Sequence, residues 1–367
     1  MKVRLVDICK PKQWKTIPRN DLLDEGYPVY GANGIIGYYS EFNHEESVVT
    51  ITCRGATCGS INITVPQSYV TGNAMCLDEV RSDIETEYLY YCLKHYDFNK
   101  IISGSAQPQI TRQSMEKITI SIFDHKKQIE ILDKLKKIER IIAHRKQELS
   151  ELDTLIKARF VEMFGDPVSN SYRCHEATLM ELGELGRGVS KHRPRNDSKL
   201  LGGKYPLIQT GDVANSGLYI TSYNSTYSEL GLKQSKMWNK GTLCITIAAN
   251  IAKTAILEFD ACFPDSIVGF IAGEQTNNIF IHYWFSFFQK IIETQAPESA
   301  QKNINLKILS ELKVIVPEKE KQNEFAAFVQ QIDKLRFGGR KRLTKAKNTK
   351  NNNRNTITLE RSTLYGK

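Results

Sequence analysis

The chain has 367 residues, 41% apolar and 25% charged, the composition of a soluble globular protein with room for two cores. No apolar run reaches the length of a membrane span, and Met1-Lys2-Val3-Arg4 leads into polar sequence instead of a signal peptide, so a cytoplasmic chain is expected. The net charge of +9 is concentrated at one end: nine Lys and Arg face one acidic residue from Gly338 to Lys367, which leaves 41 basic and 40 acidic residues elsewhere, so overall charge does not mark a nucleic-acid surface.

Residues 1 to 122 alternate short apolar strands with turns: Val29-Tyr30 before Gly31-Ala32-Asn33-Gly34, then Ser47 to Thr52, Ser60 to Val65 and Ala74 to Val80. Glu87 to Phe98 has helical spacing, with Leu89, Leu93 and Tyr96 on one side, and Glu116 to Ile122 returns to strand. From His125 to Phe164 there is neither Gly nor Pro, and Gly165-Asp166-Pro167 supplies a stop. Apolar residues recur from Ile131 through Leu135, Ile138, Ile142, Leu149, Leu152, Ile156 and Met163 in alternating steps of four and three, interrupted only by Arg145 and Arg159. That spacing predicts a coiled-coil helix about 60 Å long, whose stripe needs a partner helix.

Beyond it come strands over Lys204 to Gly211, Thr242 to Leu257 and Ser266 to Ile271, a helix from Phe280 to Ile292, and a strand from Leu312 to Val316. Residues 186 to 203 form a Gly-rich, basic loop without an equally basic counterpart earlier. Lys319 to Ile332 begins a second long helix with Phe325, Val329 and Ile332 on its seam. Arg336 then breaks the seam, and Phe337-Gly338-Gly339-Arg340-Lys341-Arg342 leads into an Asn-, Lys- and Thr-rich stretch read as a disordered basic tail, natural or produced by a shift of the coding frame near Leu335.

The two parts repeat. Ser105-Ala106-Gln107-Pro108-Gln109-Ile110, Met115, Ile118, Ile120, Ile122 and Gln128 match Ser299-Ala300-Gln301-Lys302-Asn303-Ile304, Leu309, Leu312, Val314, Val316 and Gln322 at a constant offset of 194. Ile51-Thr52 matches Ile245-Thr246 at that offset, while Leu5, Ile8 and Tyr27-Pro28 match Leu179, Leu182 and Tyr205-Pro206 at smaller ones. The expected domains are 1 to 122, a long helix over 123 to 165, a second domain over 166 to 317, the start of a second helix over 318 to 335, and a tail over 336 to 367.

A strand-rich domain ending in Ser-Ala-Gln-x-x-Ile, spaced apolar residues, a Gln at the mouth of a long helix, and an ending like Phe160-Val161-Glu162-Met163-Phe164-Gly165, all repeated, resembles the DNA specificity subunit of Type I restriction-modification systems. The resemblance covers residues 1 to about 335. It implies an α/β (α+β) chain: two similar, mixed, strand-rich target recognition domains separated by long coiled-coil spacer helices that pair antiparallel, in a pseudo-two-fold repeat. It further implies a non-catalytic subunit that binds double-stranded DNA, docks methyltransferase (M) subunits, and meets restriction (R) subunits through the complex. The short second helix departs from the family and would leave Leu149, Leu152 and Ile156 uncovered, from which self-association is expected.

The residues agree with a binding role. Gly31 to Gly37 has the wrong spacing for a dinucleotide loop, and neither a phosphate-binding Gly-x-x-x-x-Gly-Lys motif nor an adenine-methyltransferase Pro-Pro-aromatic motif is present. The seven His show no cluster, and the eight Cys never form Cys-x-x-Cys; neither a metal nor a cofactor is expected. Base reading in the major groove calls for Arg, Asn and Gln on exposed loops. Candidates are Asn33, Arg54, Gln107, Gln109 and Arg112 in the first part, and Arg187, Lys191, His192, Arg193, Arg195, Gln209, Asn250, Lys253, Gln301, Lys302 and Asn303 in the second, with Lys191 to Arg195 the best phosphate-contact cluster. Gln107 and Gln301 sit at equivalent places and suit a shared backbone role. Two other readings are a metal-dependent nuclease using Asp197-Ser198-Lys199 or Glu311-Leu312-Lys313, and a coiled-coil scaffold without DNA affinity.

Overall fold

The structure, a computed structural model, describes residues 2–104, 107–248, 251–288, 291 and 304–359. The chain divides into two compact units, Met1–Lys146 with Lys341–Lys367, and Gln147–Arg340.

The first unit contains β1 (Lys2–Arg4), β2 (Lys10–Lys12), β3 (Tyr27–Gly31), β4 (Gly34–Tyr39), β5 (Val49–Thr52), β6 (Ile61–Ile63), β7 (Tyr69–Val70), β8 (Ala74–Asp78), α1 (Thr86–Leu93), α2 (Arg112–Met115), β9 (Thr119–Ser121) and the first part of α3 (His125–Phe164). Its sheets are β2-β8-β5-β6, β4-β3-β7 and β1-β9. Every residue of β5 is buried, Thr50 and Thr52 included, as suits a strand with neighbours on both sides. Leu132 and Leu135 of α3 close a core with Ile51, Leu77, Tyr88, Leu89, Ile118 and Ile120.

The second unit takes the rest of α3 and then β10 (His175–Thr178), β11 (Gly183–Arg187), β12 (Leu201–Leu207), α4 (Thr210–Asn215), β13 (Tyr219–Ile220), β14 (Ser225–Tyr227), α5 (Glu229–Lys233), β15 (Met237–Trp238), β16 (Leu243–Thr246), β17 (Thr254–Leu257), β18 (Ala261–Cys262), β19 (Ile267–Ala272), α6 (Asn278–Trp284), α7 (Leu306–Glu311), β20 (Lys313–Val316) and α8 (Lys319–Leu359). Its sheets are β11-β19-β16-β17-β13, β14-β12-β18-β15 and β10-β20. Phe160 and Phe164 of α3 pack against Phe280 of α6 and Phe325 of α8 with ring centroids 5.1 to 5.5 Å apart, mostly edge to face.

Strand registers carry the duplication residue by residue. Val3 faces Ile120 in β1-β9, and Ala177 faces Val314 in β10-β20; Ile51 faces Met75, and Ile245 faces Val268. Val29 is parallel to Tyr69, and Leu207 to Cys262. Pro11 opposite Leu77 corresponds to Leu185 opposite Phe270. The start of each long helix is anchored alike by a fully buried amide. Gln128 Nε2 donates to the carbonyls of Asp83 (2.9 Å) and Phe123 (3.0 Å), while its Oε1 accepts from the Glu85 N–H. Gln322 Nε2 donates to the carbonyls of Gln275 (2.9 Å) and Pro317 (2.8 Å), while its Oε1 accepts from the Thr276 hydroxyl. Gly165 ends α3 at φ +77°, where a Cβ would lie 2.5 Å from Ser171 Oγ.

The second long helix corrects the sequence reading. α8 continues to Leu359, so the expected break at Arg336 and the non-helical tail are absent over those residues. One stripe of covered positions runs through Gln322, Phe325, Val329, Ile332, Arg336, Gly339, Leu343, Ala346 and Lys350, spaced in alternating threes and fours, with Ala326, Phe328, Asp333 and Gly338 half-covered beside it. They stand 194 beyond Gln128, Ile131, Leu135, Ile138, Ile142, Arg145, Leu149, Leu152 and Ile156, so the heptad runs on past Leu335 without a shift of register. Arg336 remains on the seam because its guanidinium pairs with Asp153 and reaches the Tyr283 hydroxyl at 3.5 Å. Gly339 faces Leu149, where an added Cβ would lie 3.2 Å from Leu149 Cδ2. In the second unit these contacts run antiparallel; in the first, Lys350 pairs with Glu139. Ile156 is fully buried and Leu149 and Leu152 are half-buried, so the uncovered stripe on which self-association was expected does not exist. Among the described residues no helix is long and apolar enough to cross a membrane.

Candidate nucleic-acid interface

In the first unit backbone pairing gathers three loops at one edge. Asn33, in the β3-β4 turn, donates through Nδ2 to Thr57 Oγ1 at 2.8 Å, and the Thr52 hydroxyl donates to the Ala32 carbonyl. Loop 53–58 in turn meets loop 103–110: the Gly55 N–H donates to the Pro108 carbonyl at 3.1 Å, the Ile110 N–H to the Cys53 carbonyl at 2.9 Å, and Arg54 is bridged to Gln109. Ser103 and Gln109 exchange backbone hydrogen bonds around Gly104, whose φ of +87° allows the tight turn. Asn33, Arg54, Gln107 and Gln109 are thereby exposed on contiguous loops. Arg112 stands apart at the first turn of α2, lining a cleft with Trp14, His44 and Asp78.

His44 and Asp78 of that cleft stand with the buried Cys76 as a group of potential metal ligands that sequence spacing did not reveal. The polar atoms of His44 and Asp78 already have protein partners: His44 lies 2.6 Å from Asn43 Oδ1 and 3.0 Å from Asp78 Oδ1, and Trp14 Nε1 donates to Asp78 Oδ2. Burial pushes the Cys76 thiol up, away from the thiolate a metal would need.

In the second unit the basic loop wraps one carboxylate. Arg187 Nε donates to the backbone carbonyl of Asp265 at 2.5 Å, Arg195 pairs with Asp265 Oδ1, and Arg193 Nη2 lies 3.5 Å from Asp265 Oδ2. Arg193 Nη1 also donates to the carbonyls of Ser190 (2.5 Å) and His192 (2.9 Å). Gln234 holds the loop from below, accepting the His192 N–H on Oε1 at 3.0 Å and the Lys191 N–H on its carbonyl. The Lys191 side chain is exposed. His192 Nε2 meets Asp197 Oδ2 at 3.2 Å; the Lys199 backbone N–H, with His192 in support, holds the Asp197 carboxyl below its usual range. Asp197 thus caps a turn, a structural use of one acidic-x-Lys triplet.

Gln209 is exposed at the N-terminus of α4, its N–H donating to Asp212 Oδ2. Lys253 lies elsewhere, lining a cavity with Asp153, Lys157, Tyr283 and Arg336. Asn250, Gln301, Lys302 and Asn303 lie outside the described residues. Sequence reasoning missed Asp265 and Gln234, since nothing local links Asp265 to arginines some 70 residues earlier.

The sequence matches the family described as "Type I restriction modification DNA specificity domain" over residues 1–154 and 175–348, the second match running well beyond Leu335. A specificity subunit of the Escherichia coli type I restriction enzyme EcoprrI is 29% identical over 115 residues, covering 31% of this chain and 28% of that protein. A type I specificity subunit of Haemophilus influenzae is 22% identical over 84% of this chain and 80% of its own length. Among solved structures, the S subunit of a type I system from M. genitalium superposes with a TM-score of 0.63 at 15% identity, covering 97% of this chain and 95% of that one. A chain from a structural study of type I complex assembly and conformational transition gives 0.56 at 13% identity, covering 97% of each. With duplicated units of matching register and family matches over both, the chain belongs to the Type I restriction modification DNA specificity domain family.

Proposed function

We propose that the chain is the sequence-reading subunit of a type I restriction-modification complex in the cytoplasm, each unit contacting one half of a two-part site in double-stranded DNA. The observation that carries this reading is that the two units keep one strand register while their loops differ in chemistry. A shared scaffold with divergent loops suits two different half-sites, because phosphate contacts position a protein and loop side chains at base edges specify the sequence. Asn33, Arg54, Gln107 and Gln109 are the proposed contacts of the first unit; Arg187, Lys191, Arg193, Arg195 and Gln209 those of the second. Methyl transfer and cleavage fall to separate methyltransferase and restriction chains, with the paired helices α3 and α8 offered as the docking region. The test is to express the chain with a cognate methyltransferase subunit in a host lacking other methylation and to sequence modified adenines. A single two-part motif with a constant gap is expected; modification absent, or scattered without a motif, would refute the proposal.

A further inference from the structure

Asp265 places a negative charge at the centre of the cluster best suited to hold a phosphate. Much of that cluster is held without the carboxylate. Arg187 is fixed by the Asp265 backbone carbonyl, and Arg193 by the carbonyls of Ser190 and His192. The first unit supplies a control within the same chain. Extending the offsets of the paired strands by one residue past β2 and two before β8 and β19 aligns Gln13 with Arg187 and Gly72 with Asp265, and Gln13 Nε2 donates to the Gly72 carbonyl at 2.9 Å. The same bond from side chain to backbone therefore forms over a residue with no side chain, so the fold does not require a carboxylate at this position. What the carboxylate adds is charge, on a surface a phosphate could reach: the Arg193, Arg195 and Asp265 side chains are 56%, 45% and 28% exposed.

We infer that Asp265 is an internal phosphate mimic that occupies Arg193 and Arg195 and thereby restrains binding to DNA of arbitrary sequence. The inference rests on the reading of this loop as a DNA-contacting surface. Off-site, a phosphate must displace the carboxylate to gain the two guanidinium groups. On the correct half-site, base contacts elsewhere in the unit supply the free energy for that exchange, so specific binding is weakened less than non-specific binding. Asp265 thus sets the specificity ratio, the quantity that matters against an excess of competing sites.

The experiment uses the full chain and a labelled duplex of about 30 base pairs of arbitrary sequence, titrated between about 50 and 200 mM salt, with the Arg193→Ala/Arg195→Ala variant as reference. Asp265→Asn is expected to bind at least about threefold more tightly at low salt, through loss of one like charge near the phosphates. Its slope of log affinity against log salt should steepen by about 1 to 2, as one or two more phosphates are neutralised. Asp265→Ser should do the same, which separates loss of charge from any effect of the amide. In a Trp14→Phe background the fluorescence of Trp238 and Trp284 reports folding of the second unit, Trp238 stacking on Phe263, two residues before Asp265. If both neutral variants fold yet bind more weakly and with a flatter slope than wild type, Asp265 positions the arginines and the inference is wrong while the loop still binds DNA. If adding Arg193→Ala and Arg195→Ala to Asp265→Asn leaves the affinity and slope of that variant unchanged, the DNA reading of this loop falls, and the inference with it.

Discussion

The buried imidazole of His282 should make the second unit sensitive to acid. It lies on α6 with Nδ1 2.9 Å from Thr254 Oγ1, and burial first, then the nearby Arg336 guanidinium, push its pKa from 6.5 down to about 4. Above about pH 6.5 the group is neutral both folded and unfolded. As pH falls below that, the unfolded chain takes up the proton while the folded unit does not, so stability is lost progressively until the folded pKa is reached. The gap between 6.5 and about 4, at 1.36 kcal/mol per pH unit, gives a loss of about 3 kcal/mol. In a Trp14→Phe background the remaining tryptophans, Trp238 and Trp284, both report on the second unit. Urea unfolding followed by their fluorescence should show the midpoint falling by on the order of 1 to 2 M between pH 7 and pH 4. His282→Gln should remove most of that dependence, and Arg336→Leu, which deletes the second cause, should reduce it. Wild type and His282→Gln falling in parallel with pH would refute the reasoning.

Two further perturbations test the packing. Gln322→Leu strands the Gln275 and Pro317 carbonyls and the Thr276 hydroxyl, at about 1 to 3 kcal/mol for each group left dry, so it should destabilise the second unit clearly more than the exposed Gln330→Leu; equal effects would show that water replaces the amide. Truncation after Phe337 removes Gly339, Leu343, Ala346 and Lys350 from the seam and should uncover Leu149, lowering the urea midpoint and driving self-association in light scattering; a monomer with unchanged midpoint would mean that this half of α8 contributes nothing.

The duplication was legible because its markers are rare and stiffly placed. A glutamine buried at the mouth of a helix, with its offset of 194 to an equal, has few substitutes, since its amide satisfies carbonyls on one side and a donor on the other. The α3 seam was legible because large aliphatic residues occupy it. The far half of α8 was not, because its seam is built from an ion-paired Arg336, a Gly339 that makes room for Leu149, a small Ala346, and a Lys350 that pairs with Glu139. Apolar periodicity sees those positions as a break. Composition likewise read the Asn- and Lys-rich stretch as unable to bury a core, whereas a helix whose partner is already in place needs little apolar surface of its own. The basic loop was found by its charge, but its organising residue comes from the turn before β19, which the pairing of β19 with β11 brings to the loop. Extra strands β13 and β15 escaped notice because each is two residues long.

The measurement closest to the central claim is methylation sequencing with one unit altered at a time. Arg54→Ala with Gln109→Ala in the first unit should relax or shift one half of the modified motif and leave the other half unchanged. Arg187→Ala with Gln209→Ala in the second should do the converse, with the gap between halves constant throughout. Both pairs of substitutions degrading the same half, or neither altering the motif, would contradict the assignment of one half-site to each unit.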